Sequence, residues 1–560
     1  MKILRAWSLV LVVASCGGEP PEDVTAEATP IDPGAESALT RPPPDLGWPT
    51  TTPDGPVITP RSNINASAAT GAQTDADIAV DPTDTPYFNH LVAAADDAVT
   101  HTLNIYESWN GATTWVTHKA PSPTGAFGGA TRHGAVAYDL AGDAFVSAIA
   151  YDAAGAHGRV AVSRRPVGAG SFSRFAVVNA ADVDRQRIAV DRISSSPYQG
   201  RVYVAWSDGQ AVLVSASGDG GATFGAAVRV SDDGAATSPY PAVAADGALY
   251  VAWLDPGRGQ LRIDRSTDGG ATFGVDHVVH ALATTGATIA SPAAPGGVRL
   301  APFCDVDRST GPRRGTVFCA YTDRAGANGL DVFLRRSVDG GATWSPPRRM
   351  SDDPTGTGAD QLLPRVQIDD GSGKVSVAWY DTRDDAAHAK THVYFTRAND
   401  GVSFVPSVRV TKAQSNEARA GAAPEGYGEA LGMEAWKGRI RVLWTDSRAA
   451  DEETYSCIID FAHFSFYFAG SDTLTMPRGG TAQLGIRIDA VGPFVAPVQL
   501  SLLGMPPGTS GTFSVNPVSP GGTATLTVSA GSAPAGRYPI SLKGKGGGEE
   551  TSRPITLVVQ

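Results

Sequence analysis

Apolar and polar residues alternate in short runs along most of the chain, and clusters of glycine, proline, aspartate or asparagine interrupt them. Val202-Tyr203-Val204-Ala205-Trp206, closed by Ser207-Asp208-Gly209, is one such run, and Leu249–Leu254, closed by Asp255-Pro256-Gly257, is another. A period of two broken by turn residues predicts half-buried β-strands. After the first twenty residues no stretch keeps the spacing of an amphipathic helix. The 64 glycines and 40 prolines among 560 residues supply the turns that many short strands need. The chain reads as all-β, and its length calls for several domains, or for one large repeat array plus a smaller module.

A repeat runs through residues 57–463. Ser217-Gly218-Asp219-Gly220-Gly221-Ala222-Thr223-Phe224 returns as Ser266-Thr267-Asp268-Gly269-Gly270-Ala271-Thr272-Phe273 and again as Ser337-Val338-Asp339-Gly340-Gly341-Ala342-Thr343-Trp344. Weaker copies stand at Ser108–Trp115 and Arg397–Phe404, and a decayed one near Ser163–Phe172. The octet makes sense as a hairpin turn. An Asp side chain can accept from the turn's own N–H groups, and glycine supplies the positive φ. The aromatic residue then starts the next strand. Asp219, Asp268 and Asp339 are therefore expected to be structural, not catalytic.

Two strands precede each octet. The first lies at Asp77–Val80, Gly134–Tyr138, Arg187–Val190, Pro241–Ala244, Ala301–Val306, Arg365–Ile368 and Ala430–Ala435. The second ends in an aromatic residue and an Asp, as at Trp206/Asp208, Trp253/Asp255, Tyr321/Asp323, Trp379/Asp381 and Trp444/Asp446, with looser copies ending at Asp97 and Asp152. Small sheets of this kind hide their apolar faces by stacking on their neighbours, as propeller blades do. Seven innermost strands predict seven blades, with six blades and one irregular sheet as the alternative. Arg61–Ala69 is expected to close the ring as the outer strand of the last blade, beside Tyr455–Asp460. Residues 464–560 change character, with strands between turns such as Pro506-Pro507-Gly508 and Pro520-Gly521-Gly522. Their spacing predicts a β-sandwich.

The octets resemble the Asp box, or BNR repeat, of the sialidase superfamily, and Leu503–Gly508, Gly511–Ser514 and Gly522–Val528 resemble the Ig-like modules appended to secreted bacterial proteins. The first resemblance implies an exo-sialidase-type glycoside hydrolase. Its active site would lie on the face opposite the Asp boxes, where innermost strands begin and second strands end. Strand entries there supply Asp77, Arg132, His133, Arg185, Arg187, Arg299, Arg365, Tyr427 and Glu429, and second-strand ends supply Asp208, Asp255, Asp323, Asp381, Arg383, Asp446 and Arg448. Arginines suit bidentate recognition of a carboxylate, and carboxylates serve as acid, base or hydroxyl acceptor. The ligand-binding candidates are Arg187, Arg299, Arg365, His133 and Arg383, and the catalytic candidates are Tyr427, Glu429 and Asp381. Tyr427 beside Glu425 or Glu429 is the pair that looks like a nucleophile and its base. The Asp of each second strand equally suits a turn former that caps backbone N–H groups, with Arg383 and Arg448 as its ion-pair partners.

The resemblance departs from the family in one respect. Sialidases carry their first arginine in an R-I-P motif, and Pro60-Arg61-Ser62-Asn63 does not match it. A non-catalytic propeller that binds glycan or protein through the same face is the alternative reading. No metal or other cofactor is called for. His388 and His392 lie on a loop-to-strand segment and not on a helix face, and Asp352, Asp353 and Asp360 read as solvated loop acids.

Lys2 and Arg5 precede a short apolar run that ends in Val13-Ala14-Ser15-Cys16, which resembles the lipobox of bacterial lipoproteins. The resemblance implies a signal peptide over 1–15, a lipid anchor on Cys16, and export to the outer membrane or cell surface. Residues 16–56, rich in Pro, Glu, Asp and Thr, read as a disordered tether. Cys304 and Cys319 would face each other across a hairpin, either bridged or as two buried thiols. Cys457 has no evident partner. The net charge of −12, without any basic stripe, argues against a nucleic-acid partner.

Overall fold

The computed structural model describes residues 58–560 except 68–71, 85–88, 124, 180, 325–328, 400, 418, 420–425, 437, 449–451, 462, 492–493 and 548. Cys16, the apolar leader and the tether lie outside the described residues, as does Glu425. The described chain is all-β, and its one helical element is a single 3-10 turn at Gly125–Phe127.

Six antiparallel sheets each use four consecutive strands in sequence order. Their innermost strands are Gln73–Val80, Thr131–Tyr138, Arg185–Val190, Thr237–Val243, Phe303–Val306 and Gln361–Ile368. The seventh sheet starts with Gly432–Trp436, continues through Arg439–Asp446 and Glu453–Phe461, and takes its outer edge from the beginning of the described chain. Neighbouring innermost strands pack against one another in order, and Gly432–Trp436 returns to Gln73–Val80, so seven blades close into a ring. The closing edge has two short pieces: Ile58–Pro60 pairs with Phe461–Ile459, and Ile64–Asn65 pairs with Ser456–Tyr455. It begins three residues earlier than the sequence suggested and breaks in the middle. Closure of this kind leaves the last blade without a free edge.

The apolar alternation explains the stacking. Trp206, Trp253, Trp379 and Trp444, one from each of four second strands, are among the largest fully buried side chains, and blade faces share continuous apolar clusters. The octets form the expected turns. Asp219 accepts from Ser217 Oγ at 2.7 Å, Thr223 N at 2.9 Å and Thr223 Oγ1 at 2.6 Å, while Ser217 Oγ accepts from Gly221 N at 2.8 Å. Asp268 and Asp339 repeat the pattern. In the weaker first copy Asn110 takes the Asp position and accepts from Thr113 N and Thr114 N. Gly220 and Gly221 adopt φ of 68° and 80°, which a side chain would resist.

Between the fourth and fifth blades a hairpin, Thr288–Ser291 with Ala294–Arg299, interrupts the repeat. Cys304 and Cys319 are paired across adjacent strands and disulfide-bonded, and Cys457 is a buried free thiol. After the seventh blade the chain enters a sandwich of two four-stranded sheets. One is formed by His463–Ala469, Thr481–Val491, Thr523–Ser529 and Ser510–Phe513, and the other by Thr473–Met476, Glu549–Val559, Gly536–Gly546 and Gln499–Leu503. The sandwich has its own core, with Phe464, Ile488, Leu526 and Leu542 inside. It also touches the propeller through a buried pair of Lys374 and Glu549.

Candidate functional site

Innermost strands run from the face opposite the Asp boxes towards the Asp-box face, so their first residues ring one mouth of a central channel. Arg185 and Arg187 stand two apart on one strand and share its partly exposed, channel-facing side. Arg299 arrives from the inserted hairpin, and Glu429 from the turn before Gly432–Trp436. The four meet. Arg185 Nε pairs with Glu429 Oε1, Arg299 Nε lies 3.1 Å from the same oxygen, and Arg187 Nη2 lies 4.0 Å from Oε2. Asp75 Oδ1 accepts from the Glu429 backbone N–H and so fixes the turn that presents this carboxylate. Burial, and then the neighbouring charge of Arg185, push the Arg299 guanidinium below its ordinary value. Arg185 Nη1 also lies 3.1 Å from Asp184 Oδ1, so the three cations share the carboxylates of Glu429 and Asp184.

Deeper in the channel Arg365 pairs with Asp77 at 3.1 Å and stacks on Tyr240 at 4.9 Å. Below them is a cavity of about 110 Å³, lined by Asp77, Arg187, Tyr240, Asp305, Arg308, Arg365 and Glu434 among others. At its far end Arg308 bridges Asp305 and Asp370, each at 2.7 Å, and Arg192 meets Glu434 at 3.1 Å over the Trp436 ring. The channel is thus a column of paired charges, and at its mouth three arginines gather around Glu429.

The structure gathers some of the sequence candidates and disperses others. Arg187, Arg299 and Glu429 converge, and Arg185 joins them. Arg365 does not reach the mouth: a β-bulge between Leu362 and Arg365 sets it one layer deeper, where it is buried against Asp77. Tyr427 is no exposed nucleophile. It is 2% exposed, its hydroxyl accepts from Thr391 Oγ1 at 2.8 Å, and its ring packs on Tyr380. Burial holds its phenol well above the ordinary value. Glu429, committed to arginines, is not its base. Asp381 is also removed from the acid/base role. It is fully buried and accepts from Trp379 Nε1 at 2.8 Å, Arg383 N at 2.9 Å and Arg383 Nη2 at 2.7 Å. Arg383 is occupied by Asp381 and Asp352 and lies over Tyr394, so it is a clamp and not a ligand contact. Trp444, Asp446 and Arg448 repeat the same clamp one blade later. Asp352 and Asp353 take arginine partners, Asp360 accepts from Ser291 Oγ, and His392 bonds Thr411.

His133 sits at the mouth, but with Asp75 and Asp96 and not with the arginines. Its Nδ1 lies 3.3 Å from Asp75 and 3.8 Å from Asp96. Asp75 and Asp96 were not among the residues the sequence pointed to. Asp75 (φ 55°) and His133 (φ 58°) both take left-handed backbone at equivalent bulges, Thr74/Asp77 in the first blade and Arg132/Ala135 in the second. A bulge re-aims side chains, and such strain gathers at functional sites. A three-residue Asp-x-Asp at a strand entry was the available signal, but not which Asp turns inward.

No protein-family model matches the chain. No curated protein matches it either. Among solved structures it is similar to a Hadza microbial sialidase, with a TM-score of 0.39 and 14% identity over 57% of this chain and 66% of the other, just under two thirds of that protein's length. It is also similar to a NanB sialidase from Streptococcus pneumoniae, with a TM-score of 0.40 and 9% identity over 65% and 71%. An exo-β-1,3-galactanase from Phanerochaete chrysosporium gives a TM-score of 0.30 and 13% identity over 89% and 94%. No residue role is carried over from these proteins. The fold and the site define the chain as a seven-bladed propeller with an arginine-ringed channel mouth and a C-terminal β-sandwich.

Proposed function

We propose that this propeller is an exported, lipid-anchored binding protein that holds a carboxylate-bearing glycan at the mouth opposite its Asp boxes, without cleaving it. The observation that carries the reading is the convergence of Arg185, Arg187 and Arg299 on one carboxylate, that of Glu429. Arginine forks match carboxylates in geometry, and such charge-assisted bonds are strong where water is scarce. Glu429 fills this position with a carboxylate of the chain itself. Arg187, at 4.0 Å, is the cation it satisfies least. An incoming carboxylate bonds Arg187 and Arg299 and either shares Arg185 with Glu429 or displaces it. The non-cleaving reading is supported by Tyr427 and Asp381, the candidate nucleophile and acid/base, which are a buried phenol and a clamped carboxylate.

The test is a glycan array read with purified protein, alongside a fluorogenic sialoside. Retention of sialylated or uronate-bearing glycans, lost in Arg187→Ala and Arg299→Ala, with no sialoside turnover, is the expected result. Turnover abolished by Tyr427→Phe would restore the hydrolase reading. A blank array with a blank turnover assay would point to a protein ligand.

A further inference from the structure

Beside the arginine cluster, three side chains from two blades point at one another. Asp75 comes from the first strand of the first blade, Asp96 from its second strand, and His133 from the first strand of the second blade. One oxygen from each carboxylate and one ring nitrogen lie within 4.8 Å of one another, and all three residues are buried. We propose that Asp75, Asp96 and His133 form a binding site for a divalent transition metal, with zinc as the best fit.

Two observations carry this. The first is spacing. Ligands at the usual zinc distances of about 2.0–2.2 Å in a tetrahedron stand about 3.3–3.6 Å from each other. His133 Nδ1 stands 3.3 Å from Asp75 Oδ2 and 3.8 Å from Asp96 Oδ2. With all three ligand atoms within 4.8 Å of one another, the set can close on one shared ion. The second is the ring nitrogen. His133 is 8% exposed, and its Nδ1 has no hydrogen-bond partner although two carboxylates stand within 4 Å. A buried polar atom left without a bond is costly, and a metal would satisfy it.

The surroundings pre-organise the set. Asp96 Oδ2 accepts from His133 N at 2.6 Å and Oδ1 faces Gly134 N at 3.4 Å, so the bulge that bears the histidine also orients the carboxylate. Asp75 Oδ1 holds the Glu429 N–H, which leaves Oδ2 directed at the histidine. Imidazole with two carboxylates is a hard-to-borderline donor set suited to zinc or manganese, and three protein ligands leave a position open. Arg185 and Arg187 lie near Asp75 and limit affinity by their charge. The same atoms without metal form a metal-free cluster of a histidine and two carboxylates, and that arrangement is the rival outcome.

The experiment is a calorimetric titration of metal-stripped full chain with zinc chloride, paired with thermal melting. One zinc per chain, a melting temperature raised by zinc and lowered again by chelator, and affinity weakened by roughly 100-fold or more in His133→Asn are expected. Asparagine tolerates the left-handed backbone at this position, so the variant tests the ligand and not the turn. If it does not fold, X-ray absorption on the zinc-loaded wild type decides, with one imidazole and oxygen ligands expected. No stoichiometric zinc uptake by wild type, or unchanged uptake by the variant, overturns the site and leaves the metal-free cluster. Neither readout involves glycan.

Discussion

Glu549 of the sandwich forms a buried ion pair with the propeller, and its removal should be far more damaging than removal of its main partner. Glu549 is 1% exposed and pairs with Lys374; Arg397 Nη2 lies 3.9 Å from the same oxygen and its guanidinium stacks on Phe461. One carboxylate thus neutralises two buried cations. A charge pair near 4 Å is worth about 4 kcal/mol at an effective dielectric of 20, before desolvation is counted. Glu549→Gln leaves Lys374 and Arg397 facing each other unpaired, and breaking a buried pair from one side costs about 3–5 kcal/mol. Lys374→Met leaves Glu549 with Arg397 and fills the space with an apolar side chain, so we expect a cost of about 1–2 kcal/mol. The pH dependence separates this from a packing defect. Burial, then the Arg397 charge, already lower Lys374 to about 8. Loss of Glu549 lowers it further, and an amine depressed in the folded state gains stability as pH rises past its folded value. The deficit of Glu549→Gln should therefore shrink between pH 6 and pH 8. Urea unfolding, followed by tryptophan fluorescence at both pH values, measures it. Equal costs for the two variants, or a deficit that does not change with pH, refute the reasoning.

A second pH effect has the opposite sign. Burial opposes charge on His90, but Asp81 at 2.9 Å and Glu107 at 2.8 Å outweigh it and raise the imidazole to about 9. Its contribution is complete below pH 6.5 and is lost as pH rises through 9, about 1–2 kcal/mol once solvent screening of this partly exposed ring is allowed for. Melting of wild type and His90→Gln at pH 7 and pH 10 should show the variant losing less. For the leader, Cys16→Ser should release an unlipidated, soluble form from membranes, and unchanged membrane association would contradict the anchor.

Features set by local chemistry were the ones legible in the sequence. The Asp boxes declare themselves because Ser, Asp, Gly and Thr satisfy one another within eight residues. The seven innermost strands follow from alternation and recurrence, and ring closure from a segment that precedes the first innermost strand as Val228–Asp233 precedes that of a later repeat. The site was harder to read because its geometry depends on bulges. Extra residues between Thr74 and Asp77, Arg132 and Ala135, Thr237 and Tyr240, and Leu362 and Arg365 shift the alternation that sequence reading assumes. Arg187 lines the channel as the alternation suggested because its strand runs in unbroken register against Val202–Ser207. Arg365 was placed too high because its strand does not. Asp381 and Arg383 looked like ligands because a Trp–Asp–Arg clamp uses the same residue types as a carboxylate site. Tyr427 looked reactive because sequence does not show that Thr391 and Tyr380 enclose it.

Recognition of a carboxylate at the channel mouth is what the arginine cluster is proposed to do. Its most direct test is a calorimetric titration of the full chain with an acidic glycan retained on the array, repeated with the same glycan as its methyl ester. Saturable binding of the acid is expected, with an affinity lower by about 10–100-fold for the ester. Arg299→Ala should bind the two forms alike. Equal affinity of wild type for acid and ester, or a preference that survives Arg299→Ala, would contradict it.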